Sequence, residues 1–175
     1  MIAIPVQSEK YGLKHFFIDG EDFEKVNNHK WHINYCKHIS GFYVKTNINI
    51  SDKKRGILPL HRLILNAPDG VIVDHIDGNT LNNQKENLRL CAHIENKRNQ
   101  KKRSDCVGSK YKCVSKNKTK KKYEAYIRLD GKRKSLGHFK SEDDAARAYN
   151  KAAIEIYGEF ARLNIIEFEN NKTKV

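Results

Sequence analysis

The stretch that decides how this chain is interpreted runs from Val73 to Asn99, VDHIDGNTLNNQKENLRLCAHIENKRN. A short apolar run ends here in an Asp-His pair, Asp74-His75, and the turn-forming residues Asp77-Gly78-Asn79 follow it. After Leu88-Arg89-Leu90 comes a polar segment that is expected to be helical. The function of the whole chain depends on whether Asp74, His75 and Asn96 form one site.

These residue types suit the hydrolysis of a phosphodiester bond, which needs an activated water, a cation to stabilise the leaving oxygen, and groups that hold both in line. His75 can act as the general base, because the ordinary pKa of histidine lies near neutral pH. Asp74 can supply a hard oxygen ligand for Mg²⁺ or a similar ion, and the side-chain carbonyl of Asn96 a second. Asn87 could brace the loop that carries His75. The simpler alternative is that Asp74-His75 begins a turn and that the Asn residues only form turns.

Positive charge is concentrated in one block of the sequence. The chain has 175 residues and a net charge of +13, and residues 97–140 carry 17 Lys and Arg against 3 Asp and Glu. A solvated surface could account for basic charge, but a block this concentrated indicates a polyanionic partner, and nucleic acid fits best. A membrane surface would require an amphipathic basic helix, and this block has none.

No membrane span or signal peptide is recognisable, so an intracellular, cytoplasmic location is expected. The four cysteines, Cys36, Cys91, Cys106 and Cys113, form no Cys-x-x-Cys pair, so neither a structural zinc site nor a disulfide is predicted.

The first sixty residues read as short strands with turns. Strands are predicted at His15–Ile18, Trp31–Tyr35 and Gly41–Asn47, and a polar turn at Ser51–Gly56. The predicted core residues are Phe16, Trp31, Phe42 and Val44. A helix is predicted at Leu60–Asn66, and His61 on it is expected to pack or to form a hydrogen bond.

Residues 111–165 predict a second unit, a three-stranded antiparallel sheet with one face covered by a helix. Tyr111–Ser115 is the first strand, Tyr123–Leu129 alternates in polarity, and Asp130-Gly131 predicts a hairpin into Arg133–Phe139. Ser141 caps the helix, whose predicted buried stripe is Ala145, Ala148, Ala152 and Ile156. The open sheet face carries Tyr126, Arg128, Arg133 and Ser135, and a cationic face of this kind can enter the major groove of DNA.

Residues 60–100 resemble the HNH endonucleases found as phage and intron homing enzymes. The matching pieces are His61–Ile64, Val73–Asn79 and Glu86–Arg89, with Asn96 and Asn99. The resemblance implies a ββα-metal core, with His75 as general base, Asn87 as the loop-bracing Asn, and Asp74 and Asn96 as ligands of Mg²⁺ or Mn²⁺. The last position is Asn rather than His, a substitution known in the homing subgroup, and His93 is a fallback ligand.

Residues 109–165 resemble an Apetala-type (ethylene-response-factor) DNA-binding domain, through YEAYIRLDGKRKSLGHF, AARAYNKAA and GEFARLN. Cys113 stands where Gly is usual in that family, and Ser135 where some members have Trp. The DNA-binding residues that the resemblance implies are Lys112, Ser115, Asn117, Tyr126, Arg128, Arg133 and Ser135.

Together these features predict an α+β protein: a nuclease domain at 1–100 with its ββα-metal core at about 70–100, a basic linker at 101–110, a DNA-binding domain at 111–165 and a polar tail at 166–175. The predicted function is site-specific, metal-dependent cleavage of double-stranded DNA to 5′-phosphate and 3′-hydroxyl ends, by a monomer or weak dimer with no small-molecule cofactor. A DNA-binding regulator with an inactive nuclease core and a restriction-type defence nuclease remain alternatives. RNA binding is disfavoured, because the sequence has no aromatic-rich single-strand platform.

Overall fold

The computed structural model describes residues 1–37, 39–51, 54–102, 108–117, 119 and 121–167. Contacts divide the chain into two compact units, Met1–Asn99 and Gln100–Val175. The middle of the predicted linker (101–110) and all but the first two residues of the predicted tail (166–175) lie outside the described residues. The domain roles assigned to these ranges stay predictions.

Small antiparallel sheets and short helices build the first unit, as the α+β prediction expects. Its strands are β1 (Ile2–Ser8), β2 (Gly12–Ile18), β3 (His32–Cys36), β4 (Gly41–Ser51), β5 (Lys54–Pro59), β6 (Ile72–His75) and β7 (Leu88–Cys91). Its helices are α1 (Phe23–Asn27), α2 (Leu60–Leu65) and α3 (His93–Asn99). Strands β1 and β2 pair with each other, β3, β4 and β5 form one sheet in that order, and β6 pairs with β7.

The structure corrects the predicted turn at Ser51–Gly56. Strand β5 already begins at Lys54, and Arg55 pairs with Asn49 of β4. The polar side chains of this segment suggested a turn, but a strand whose faces are both open to solvent can also be polar. Strand β1 was not predicted, since Pro5 interrupts its apolar alternation.

The core of the first unit lies between its sheets and α2. Phe16 and Val44 are buried, as predicted, while Trp31 and Phe42 are partly buried against the same cluster. The indole N–H of Trp31 donates to the carbonyl of Val26 at 2.8 Å, so the polar atom of this ring is hydrogen-bonded within the protein.

Arg62 fixes the connection between α2 and the start of β6. Its guanidinium donates to the carbonyls of Val71 at 2.5 Å and Pro68 at 2.7 Å. The helix ends at Asn66, which adopts a left-handed conformation with φ of 48°. These contacts set the position from which β6 runs toward Asp74 and His75.

The second unit consists of β8 (Val114–Asn117), β9 (Lys122–Leu129), β10 (Lys132–Phe139) and α4 (Glu142–Tyr157), with strand order β10-β9-β8. The first strand starts three residues later than predicted. Asp130 and Gly131 form the hairpin turn with φ angles of 47° and 77°. The hydroxyl of Ser141 accepts from the backbone N–H groups of Asp143 and Asp144, so it caps α4 as predicted.

The buried face of α4 differs from the predicted alanine stripe. Ala145 and Ala152 are buried, but Ile156 is exposed, and the aromatic rings of Tyr149 and Tyr157 are buried instead. The hydroxyl of Tyr157 donates to the carbonyl of Arg128 at 2.7 Å, so a polar-tipped side chain can lie inside without an unpaired group. None of the helices in the described ranges is both long enough and apolar enough to cross a membrane.

Candidate active site

The antiparallel pair β6–β7 brings the two halves of the deciding stretch together. In its register Asp74 lies opposite Arg89, and His75 lies opposite Leu88. Helix α3 follows directly after β7 and packs against β6. The stretch therefore contains two paired strands followed by a helix.

Asp74 is buried at the centre of a charged hydrogen-bond network. Its Oδ2 accepts from Arg89 Nε at 3.1 Å, from Arg89 Nη2 at 2.9 Å and from Asn99 Nδ2 at 2.9 Å. The two charged side chains are each about one-tenth exposed, 10% for Arg89 and 8% for Asp74. These three bonds all end on Oδ2, and no described residue donates a hydrogen bond to Oδ1.

His75 is held by a residue that the sequence did not single out, Asn83. The Nε2 atom of His75 lies 3.2 Å from Oδ1 of Asn83, and Asn83 Nδ2 donates to the carbonyl of Thr80 at 3.4 Å. The Asn83 side chain is 1% exposed, and its backbone N–H donates to Phe17 O in β2 at 2.8 Å. Since Asn83 presents an acceptor, Nε2 of the neutral imidazole carries the proton and Nδ1 keeps a lone pair.

Burial lowers the pKa of His75 from its ordinary value, and the hydrogen bond to Asn83 and the charges of Asp77 and Asp74 oppose that shift. Burial is the largest of these effects. His75 is therefore neutral near pH 7, which is the form that can accept a proton.

Asn87 ties together the two ends of the loop that follows His75. Its Oδ1 accepts from the backbone N–H of Asp77 at 3.0 Å, and its Nδ2 donates to Asp77 Oδ1 at 2.9 Å and to Asn82 O at 2.8 Å. The backbone N–H of Ile76 also donates to Asn87 O at 2.9 Å. Asn87 therefore joins Ile76, Asp77 and Asn82 through hydrogen bonds, and its role as the brace of the His75 loop stays a prediction.

Helix α3 carries three polar residues that differ in surroundings. Asn99 is buried and its Nδ2 reaches Asp74 Oδ2, His75 O at 3.0 Å and Ile76 O at 3.2 Å, so it joins the helix to the end of β6. Asn96, one turn earlier, lines a cavity and its side chain forms no hydrogen bond with the residues described. His93, the fallback ligand, is exposed.

The oxygen atoms near Asp74 suit a hard cation that keeps part of its water shell, rather than a metal ion held entirely by protein ligands. Within the ranges described, no three His, Cys, Asp or Glu side chains are grouped to hold a metal ion. Asp74 Oδ1 and the Asn96 carbonyl are one carboxylate and one amide oxygen, and Mg²⁺ commonly takes only one or two protein ligands, with water and phosphate completing its shell. The residues present therefore fit a divalent ion of this type.

The imidazole of His61 lies beside His75, although the sequence suggested only a packing or hydrogen-bonding role for it. The centroids of the two rings are 5.2 Å apart and nearly perpendicular, at 79°. Tyr43 of β4 contacts both rings, at 5.7 Å from His61 and 6.3 Å from His75.

In the second unit, the strand register places the predicted DNA-facing residues on one side of the sheet. Arg133 pairs with Arg128 and Ser135 pairs with Tyr126, while β8 adds residues of the same alternation. Ala125 and Ile127, which alternate with them, are buried toward α4. The residues sharing the open face are Ser115, Asn117, Tyr126, Arg128, Arg133 and Ser135.

Arg133 organises this open face. Its guanidinium lies over the Tyr126 ring at 3.8 Å, and Nη2 donates to Glu124 Oε2 at 2.6 Å and to Ser115 Oγ at 3.1 Å. Arg128 on the neighbouring strand is exposed. Arg128 therefore presents its charge to solvent on this face, whereas Arg133 also holds the shape of the face.

Lys112 has surroundings unlike those of the other predicted DNA contacts. Its Nζ donates to the carbonyl of Gln100 at 2.6 Å, and burial lowers its pKa to about 8. Its backbone N–H and carbonyl are both bound by the side chain of Asn164. Next to it, Cys113 has φ of 58°, which explains why glycine is usual at this position in the family that the unit resembles.

Residues 66–98 match the family model described as HNH endonuclease. A protein of Acanthamoeba polyphaga mimivirus, described as an uncharacterized HNH endonuclease, is 31% identical over 158 residues, which are 87% of this chain and 75% of that protein. The chain belongs to the HNH endonuclease family. Protein 3.8 of Escherichia phage T7 is 34% identical over 98 residues, 54% of this chain and 77% of that protein. No solved structure matches this chain.

Membership of the HNH family makes this chain a nuclease, with DNA as the substrate and a divalent metal ion as the usual cofactor. The matched range includes the residues predicted for the site: Asp74, His75, Asn87 and Asn96. The roles of these individual residues remain predictions.

Sequence reasoning did not single out Asn83, and it gave Arg89, Asn99 and His61 no role in the chemistry of the site. Arg89 and Asn99 were named only as matching pieces of the HNH resemblance, and His61 as one of those pieces with a packing or hydrogen-bonding role. The contact of Arg89 with Asp74 could have been predicted from the sequence, because pairing the two strands places Arg89 opposite Asp74. His61 is 14 positions before His75 in the sequence, and only tertiary packing brings the two rings together.

Proposed function

We propose that this HNH nuclease is a site-specific, divalent-metal-dependent DNA endonuclease of the homing type, which leaves 5′-phosphate and 3′-hydroxyl ends. The observation that carries the proposal is the state of His75, buried, neutral and bound through Nε2 to Asn83, beside the carboxylate of Asp74. A buried imidazole with one free lone pair next to a hard oxygen ligand is suited to activating water for attack on phosphorus.

In the proposed reaction Nδ1 of His75 accepts a proton from the attacking water, while the Asn83 oxygen stabilises the proton on Nε2. Asp74 Oδ1 and the Asn96 carbonyl would hold the cation, and Arg89 and Asn99 keep the Asp74 carboxylate in place through Oδ2. When bound, the divalent ion supplies electrostatic stabilisation of the charge that develops on the phosphate and the departing 3′ oxygen. Asn87 holds the loop that keeps His75 in position.

The second unit would supply sequence recognition through its open sheet face, as the resemblance to the Apetala-type domain implies. Tyr126, Arg128, Arg133 and Ser135 lie on two paired strands, a width that the DNA major groove accepts. Lys and Arg in residues 97–110 would bind phosphates without regard to sequence. One nuclease site per chain cuts one strand, so a monomer would nick and a dimer could break both strands.

The test is a map of DNA ends after incubation of the full chain with pooled phage and bacterial genomic DNA, at low salt with Mg²⁺ or Mn²⁺. Pooled DNA is needed because a rare target can be absent from any single plasmid. His75→Ala and an EDTA sample are the controls, and ligation of the products identifies a 5′-phosphate and a 3′-hydroxyl.

Ends that recur at one sequence and disappear in both controls are the expected result. Cuts without sequence preference would contradict the homing assignment but leave a nuclease. Tight binding without cutting under any divalent ion would replace the proposal with a DNA-binding regulator.

A further inference from the structure

His61 has unused hydrogen-bonding capacity at the edge of the candidate site. Its ring packs against His75 and Tyr43, yet its nitrogens form no hydrogen bond with the described residues. Among the described residues, Asp22 Oδ2 is the side-chain polar atom that is fully buried and has no hydrogen-bond partner. Because the His61 nitrogens also have no partner, they must be accessible to solvent. His61, Tyr43 and Asn96 together line a cavity of about 680 Å³.

The charge of this cavity fits a phosphodiester strand. Lys37, Lys45 and Arg62 belong to its lining, and no Asp or Glu side chain does within the part of the chain described. Asn96, the proposed ligand, also lines the cavity, so the cavity adjoins the position where a cation would be held. Cationic grooves of this kind follow a nucleic-acid backbone.

His61 is neutral at working pH. Burial, and secondarily the neighbouring His75 and Arg62, lower the pKa of His61 to about 3. A neutral imidazole offers one N–H donor and one acceptor. It can therefore donate a hydrogen bond to an anion without adding a second positive charge next to His75.

We propose that His61 is a further catalytic residue, whose imidazole N–H donates a hydrogen bond to a non-bridging oxygen of the scissile phosphate lying in this cavity. The proposal rests on the proposed endonuclease function. A water held by a base lies about 3 Å from it, and the phosphorus it attacks lies about 3 Å further on. With 5.2 Å between the ring centroids, the oxygens of that phosphate come within reach of the His61 ring.

Two substitutions separate a hydrogen-bonding role from simple packing. His61→Phe keeps an aromatic ring against Tyr43 and His75 but removes the donor. His61→Gln removes the ring but keeps an N–H donor. If His61 only packs, the Phe variant should be nearly as active as wild type and the Gln variant the worse of the two.

The experiment measures single-turnover cleavage of a labelled duplex that contains the site found in the genomic map, with enzyme in excess. Thermal unfolding and binding of the same duplex in EDTA are measured in parallel, so that loss of folding or of binding is recognised. Removing one donor to a developing charge lowers the rate about 10²- to 10³-fold. We expect that loss in His61→Phe with binding within about threefold, and a rate for His61→Gln at least about tenfold above the Phe variant.

The role of His61 is overturned if His61→Phe cuts at the wild-type rate. It is also overturned if His61→Gln cuts no faster than His61→Phe. In both cases the proposed endonuclease activity stands. A wild-type chain that cuts no DNA overturns the endonuclease and this role together. The two failures are distinguished by the wild-type lane alone.

Discussion

At the residue scale, Asn83 sets the tautomer of His75. Its Oδ1 lies 3.2 Å from Nε2, so in the proposed mechanism Nδ1 is the nitrogen that accepts the proton. A wrong imidazole tautomer severely slows enzymes that use histidine as base, by up to about 10⁴-fold in the serine-protease triad. The position of one buried amide thus carries much of the chemistry attributed to His75.

We predict that Asn83→Leu reduces single-turnover cleavage at least about 10²-fold, because Nε2 loses its acceptor and the tautomer is no longer fixed. Asn83→Asp, which keeps an oxygen at that position, is the matched control and should cleave faster than the Leu variant. The cleavage rates are measured at enzyme concentrations at which each variant binds the same fraction of the DNA. Equal cleavage by Asn83→Leu and wild type would show that another group orients His75.

The partly buried His61 predicts a stability that depends on pH. Its pKa is about 3 when folded and about 6.5 when unfolded, so the unfolded chain binds the proton first as pH falls. The neutral His61 therefore contributes its full stabilisation above about pH 6.5. As the pH falls toward 3, the free energy of unfolding decreases by up to about 1.4 kcal/mol per pH unit.

Denaturant unfolding in EDTA between pH 7 and pH 4 measures this slope. His61→Phe should reduce the slope and leave the part that comes from His75, whose pKa burial also lowers. His93→Gln, at an exposed histidine of the same unit, should leave the slope as it is in wild type. A slope unchanged by His61→Phe would mean that His61 is solvated and titrates normally.

At the scale of elements, helix α3 carries two asparagines whose surroundings differ. Asn99 links the helix to β6 through three acceptors, whereas Asn96 faces the cavity. We predict that Asn99→Ala lowers the free energy of unfolding by about 1–3 kcal/mol, because buried acceptors lose their donor. Asn96→Ala should leave stability nearly unchanged and raise the Mg²⁺ concentration needed for half-maximal cleavage.

Chemical denaturation and a metal titration of cleavage check both variants side by side. The opposite pattern, a stability loss in Asn96→Ala and a changed metal requirement only in Asn99→Ala, would reassign the second ligand to Asn99.

Sequence alone could predict the elements whose signals are local. The Asp130-Gly131 hairpin, the Ser141 cap and the strand containing Phe16 follow from turn chemistry, capping and alternation. Strand β5 could not be recognised in the same way, because its polar start is stabilised by pairing with β4 rather than by burial.

The residues of the candidate site likewise fall into those that a local sequence pattern suggests and those that only tertiary contacts reveal. Asp74, His75 and Asn87 belong to one short stretch whose residue types suggest their chemistry. The contacts of His61 to His75 and of Asn83 to β2 depend on segments far apart in the sequence. No local pattern encodes such contacts, so they became visible only with the fold.

At the scale of the whole molecule, the basic block of residues 97–140 predicts salt-dependent binding. Neutralising phosphates releases counterions, and each contact adds about 0.9 to the slope of log K against log salt. We predict that Arg128→Ala, at an exposed cation on the open sheet face, reduces the slope by about 1. Fluorescence anisotropy with a labelled duplex from 50 to about 300 mM salt measures it.

Lys134→Ala is the matched control for this prediction. Lys134 is exposed on strand β10 but pairs with Ile127, which belongs to the opposite face of the sheet. Its removal should leave the slope within about 0.3 of wild type. Equal reductions by both substitutions would show that the sheet binds DNA through its general charge rather than through one face.

The most direct test of the proposed function is to measure binding and cutting of the mapped target in the same tubes for wild type and His75→Ala, with Mg²⁺. If His75 activates the water, His75→Ala binds within about twofold of wild type and cuts at least about 10³-fold more slowly. Cutting by His75→Ala at a rate close to wild type would contradict the assignment of His75 as the base.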